Sequence, residues 1–92
     1  MKKILVAAGT SVNKMNSAAE TIKKMCESKN VQVEVVAENI YEVDLNKISP
    51  DLIVLLGANQ LSTDLPVVDG VPFITTMGMD AAIDQIISKL NG

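Results

Sequence analysis

At 92 residues, nearly half of them hydrophobic, the chain is expected to form one domain with a real core and no room for a second. All eight basic residues are lysine, the net charge is −3 and aromatics make up 2%, so there is neither a basic block nor a stacking series, and nucleic acid is excluded as a partner. One cysteine and no histidine exclude an internal disulfide and leave little for zinc. No apolar run approaches the ~20 residues of a membrane span, and Met1-Lys2-Lys3 opens into a strand rather than a signal peptide. A cytoplasmic protein with no cofactor is the expectation.

Ile4 to Ala8 is an unbroken apolar run, the mark of a strand buried on both faces. Gly9 to Asn16 follows, small or polar except for Val12 and Met15, and reads as a loop. Ser17-Ala18-Ala19-Glu20 fits a capping box, so a helix is predicted over about Ser17 to Ser28, with Ala18, Ala19, Ile22, Met25 and Cys26 on its apolar face. Val31 to Val36 alternates with period two, as an outer strand should. Asn39 offers a cap for a short helical turn across Ile40 to Leu45. Leu52 to Leu56 is a second continuous apolar run, hence a central strand. A long connection from Gly57 to Gly70 suggests a functional surface loop. Val71 to Thr75 reads as a fourth strand, with Pro72 favouring an edge position. A last helix is predicted over about Met79 to Leu90.

This alternation implies an α/β fold of three layers, a four-stranded parallel sheet in the order 2-1-3-4 flanked by helices, of the flavodoxin-like or low-molecular-weight-phosphatase-like kind. In that order the chain reverses direction beside strand 1, and open α/β sheets bind ligands outside the carboxyl ends of strands at such a point. The loop after strand 1 leads into a helix N-terminus, where backbone amides and the helix dipole favour an anion, most naturally a phosphate. Gly9, Thr10, Ser11, Val12, Asn13, Lys14, Met15 and Asn16 are the candidate phosphate-binding residues. Ser11, Asn13 and Asn16 also simply suit turns, and Lys14 reads equally as an ordinary solvated lysine. Asp64 and Asp69 read first as solvated turn residues, with partner contact or general-acid work as the sharper role.

The opening KKILVAAGTSV, the AAE of the first helix, the LxxDLPVVDGVPF segment and the closing helix after Met77-Gly78 resemble the IIB component of a sugar phosphotransferase system, galactitol type, over essentially the whole chain. The resemblance implies a phosphoryl carrier. A cysteine at the end of strand 1 takes phosphate from a phosphohistidine on the IIA partner and passes it to a sugar held by the membrane IIC partner. The family motif there is Cys-Gly, and this chain has Ala8-Gly9. Ala8 thus stands at the catalytic position without a nucleophile, which implies an inactive or trapped variant. The alanine is either a deliberate replacement or the mark of a natural paralogue. Cys26, well into the helix on its apolar face, reads as a packed core residue.

Other functions on this architecture fit less well. A low-molecular-weight phosphatase needs a cysteine and an arginine around its loop, and the chain has Ala8 and Lys14 in their places and no Arg anywhere. A receiver domain needs acidic residues where Ala8-Gly9 and Gly57 stand, and a flavodoxin would want aromatics to stack on flavin. A non-catalytic anion- or partner-binding module of the same fold is the remaining alternative.

Overall fold

The computed structural model describes residues 2–9, 12–56 and 64–91. Its centre is β1 (Lys2–Ala8), in which Ile4 to Ala8 are fully buried. Alternate side chains divide between two layers, with Ile4, Val6 and Ala8 on one face and Leu5 and Ala7 on the other. β1 pairs in parallel with β2 (Val33–Asn39) on one side and β3 (Leu52–Leu56) on the other, and β4 (Val67–Asp69) adds to β3. The sheet order is β2-β1-β3-β4, the predicted 2-1-3-4, which corresponds to the first four strands of the flavodoxin-like order.

α1 runs from Val12 to Ser28, starting five residues before the predicted Ser17. Met15 supplies the reason. It lies three residues before Ala18 and seven before Ile22, so a helix through it extends the apolar stripe, and its side chain is buried in the main core. Tertiary packing overrides the loop preference of Asn13, Asn16 and Ser17, and Ser17 with Glu20 is helix interior rather than a capping box. The other end is a Schellman motif. Asn30 is left-handed (φ 63°), its N–H donates to the Glu27 carbonyl (3.0 Å), and the Val31 N–H donates to the Cys26 carbonyl (2.8 Å). Val31 is thereby committed to the helix end, so β2 begins at Val33 rather than Val31.

The predicted turn capped by Asn39 is also displaced. Asn39 closes β2, and its Oδ1 accepts the Tyr41 N–H (2.8 Å). The short helix is α2 (Leu45–Ile48), capped by Asp44, whose Oδ1 accepts the N–H groups of Asn46 (3.0 Å) and Lys47 (3.3 Å). Lys3 then ties the amino edge together. Its N–H donates to Asp51 Oδ2 (2.8 Å) and its Nζ to the Ile48 carbonyl (2.9 Å).

The fourth strand is Val67–Asp69, and the predicted strand at Val71 to Thr75 is instead a helical turn, α3 (Pro72–Thr75). Pro72 sits at the start of that helix, where a missing N–H costs nothing. Gly70 makes the exit from the strand possible: a Cβ there would lie 2.4 Å from Leu56 Cδ2 and 2.7 Å from Val54 Cγ1. The Asp69 side chain finishes the turn by accepting the Val71 N–H (3.0 Å). α4 (Met79–Asn91) closes the chain as predicted, burying Ala82, Ile83, Ile86 and Leu90. α1, α3 and α4 cover the face bearing Ile4 and Val6, while α2 and its flanking segments cover Leu5, Ala7 and Ile53.

Candidate functional site

Ala8 ends the central strand between Asn39 of β2 and Leu56 of β3, with none of its surface exposed. Its carbonyl accepts the Ile40 N–H (2.9 Å), which latches the turn after β2 onto the end of β1. Gly9 is half-buried, and the chain enters α1 at Val12. The connections to β2 and β3 leave on opposite sides of β1 here, so the structure places the end of β1 at the switch point of the sheet.

Thr10 and Ser11 lie outside the described residues. Val12, Asn13 and Lys14 are the first three residues of α1, whose N–H groups have no acceptor within a helix. The dipole of a 17-residue helix adds partial positive charge at the same end. Asn13 and Lys14 are exposed. The expected loop over Gly9 to Asn16 is helical from Val12 onward. Met15 turns its side chain into the core instead of a loop surface, and by Asn16 the helical ladder has begun, so its amide is engaged in the helix. Residues 12–16 of the expected eight-residue loop therefore belong to the helix.

Cys26 cannot serve this site. It lies roughly 20 Å along the axis from Val12 at ~1.5 Å per residue, is fully buried, and burial raises its thiol pKa above the ordinary value. Asp64 is excluded by topology, since it precedes β4 and so lies toward the amino edge of the sheet, opposite Ala8. Asp69 is toward the correct edge, paired with Leu55, with its carboxylate holding the turn into α3. Sequence reasoning passed over Tyr41. It is 78% exposed and directly follows the residue latched to Ala8, a proximity set by the β1–β2 register. Among the described residues, no helix is long and apolar enough to cross a membrane.

No protein-family model matches this chain. A solved flavodoxin from the domain Archaea shares 24% identity at a TM-score of 0.39, covering 88% of this chain and 51% of its own. The curated relatives are far more informative. The galactitol-specific EIIB components of the PTS system from Escherichia coli O157:H7, Shigella flexneri and Escherichia coli K12 are each 34% identical over 92 residues, 99% of this chain and 98% of theirs. A match of that identity running through both proteins from end to end settles the family: the chain belongs to the galactitol-specific EIIB components of the sugar phosphotransferase system.

Proposed function

We propose that the turn from Ala8 into α1 is a phosphate-handling site, and that this chain occupies the place of the EIIB phosphoryl carrier between a IIA donor and a membrane IIC transporter, in the cytoplasm. The observation that supports this best is the position of Ala8: the buried last residue of the central strand, one glycine from the turn that enters a helix N-terminus. A thiol there would sit where the helix dipole and free amides favour the thiolate. Attack of its sulfur on the phosphorus of phosphohistidine would form an S–P bond as the N–P bond breaks. The amides of Val12 to Lys14 would take up the charge on the transferred oxygens.

With a methyl group at position 8 the first of those bonds cannot form, so the chain as it stands does not become phosphorylated. That alanine favours a second reading of the same site, a binding module that engages the anion or the donor without transfer. Intact-mass measurement after incubation with phosphorylated IIA separates the two. The Ala8→Cys variant is expected to gain one phosphoryl group (about 80 Da) and the parent none. An unlabelled Ala8→Cys protein overturns the carrier reading, and a labelled parent overturns the assignment of position 8.

A further inference from the structure

The two faces of the sheet are finished differently. Over Ile4 and Val6, α1, α3 and α4 complete a cluster of seventeen buried residues. On the other face the buried members of the cluster, among the described residues, are Leu5, Ala7 and Ile53. The aliphatics laid over them, Val36, Ile40, Val43, Leu45, Ile48 and Leu65, are each half-buried, and α2 buries none of its four residues. An apolar patch left partly in water and rimmed by polar groups is characteristic of a surface that meets a partner.

All the charged residues of the chain are among those described, and they divide by face. α1 and the turn after it carry Lys14, Lys23, Lys24 and Lys29 with Glu20 and Glu27. α4 carries Lys89 with Asp80 and Asp84, and strand alternation adds Lys2 to this side. The helical face thus holds six lysines against four acids, or +2. Alternation along β2 and β4 puts Glu34, Glu38 and Asp69 on the α2 face, beside Val36 and Leu55. Glu42, Asp44, Asp51 and Asp64 lie on the connections that cross or border it. Its two lysines are Lys47 and Lys3, and Lys3 is committed to the Ile48 carbonyl (2.9 Å) with Glu34 at 3.9 Å. Seven acids against two lysines leave −5, so the whole net charge of −3 comes from this face.

An acidic rim around an apolar centre repels a second copy of itself and the anionic cytoplasmic leaflet, and it attracts a basic protein surface. The cytoplasmic loops of membrane proteins supply such a surface, since they carry an excess of Lys and Arg. We propose that the α2 face is the docking surface for the membrane IIC transporter, whose basic cytoplasmic loops meet the acids while apolar side chains cover the half-buried aliphatics. This rests on the carrier reading above. The face is distinct from the α1 N-terminus, yet it shares a margin with the end of β1, because Ile40 belongs to it and donates its N–H to the Ala8 carbonyl (2.9 Å). A transporter held here has position 8 at the rim of the contact and leaves the helical face uncovered.

The test is a titration of the intact chain into galactitol-type IIC held in phosphatidylcholine nanodiscs, at low and high salt. Glu42→Lys/Asp64→Lys is expected to bind about tenfold more weakly than the parent at low salt, and the gap to narrow as salt rises. Glu20→Lys/Glu27→Lys, which changes the net charge equally on the helical face, is expected to bind like the parent. All four side chains are exposed, and unchanged thermal melts verify that the variants fold. Hydrogen exchange in the parent is expected to slow at residues 40–48 when IIC binds. Equal losses from the two variants, affinity indifferent to salt, or slowing confined to α1 and α4 overturns the inference. Slowing at residues 40–48 caused by self-association, by anionic vesicles lacking IIC or by IIA gives the face to another occupant and overturns it too. If phosphorylated IIA labels Ala8→Cys but IIC ignores the parent or binds both variants alike, only the docking surface is wrong. If IIA leaves Ala8→Cys unlabelled and IIC ignores the parent, the carrier reading and the docking surface fall together.

Discussion

The side chains of Ala8 and Cys26 lie in one core on opposite sides of the same chemical question. Position 8, the buried end of β1, holds a methyl. Position 26 holds a thiol in an environment that suppresses it, with burial raising its pKa. A group whose folded pKa is raised contributes stability that is complete below its unfolded pKa and is lost as pH climbs through the folded value. Thermal melts of the parent and of Cys26→Ala, compared at neutral and alkaline pH, are therefore expected to show the parent losing stability relative to the variant once pH exceeds the ordinary thiol range. A difference between the two that stays constant with pH would show that the thiol is not desolvated. Ala8 was legible in the sequence as the end of an apolar run beside a glycine. The neighbours of Ala8 were not, because Asn39, Ile40 and Leu56 reach it only through strand register.

α1 is the element on which the proposed site depends, and its two ends are set by different physics. At its C-terminus the limit is local: Asn30 takes the left-handed conformation that closes a Schellman turn, and the sequence signal Lys29-Asn30 reports it. Glycine adopts that conformation without a Cβ penalty, so Asn30→Gly is expected to raise stability by about 0.5 kcal/mol, read as a higher urea midpoint with an unchanged slope. A lower midpoint would mean that the Asn30 side chain contributes contacts beyond its backbone conformation. At the N-terminus the limit is not local. Asn and Ser favour loops in isolation, yet Met15 has a core to enter, and that long-range contact carries the helix back to Val12. The same competition relocates strand 4. Val71 and Phe73 suit a strand, but Pro72 and the buried Gly70 suit the end of one strand and the start of a helix.

Across the whole molecule, burial is uneven, and stability should follow it. β1 and β3 are enclosed by both layers, whereas α2 spans four residues and buries none of them. Native-state hydrogen exchange is expected to be slowest at the amides of Leu5 to Ala8 and Ile53 to Leu56, and fastest among helical amides in α2. Protection of α2 equal to that of β1 would show that the thin layer opens only with the global unfolding.

The sequence alone determined the two central strands, the closing helix, the parallel order 2-1-3-4 and the resemblance to galactitol-type EIIB, because continuous apolar runs and helical stripes are local signals that burial rewards directly. It also showed that position 8 carries no nucleophile. Only the tertiary structure decided where α1 begins, which valines form β4, that Asp64 lies toward the amino edge and that Ile40, next to Tyr41, is latched to Ala8. Each of these depends on contacts between residues far apart in the chain, and such contacts override the weak local preferences of Asn, Ser and Pro.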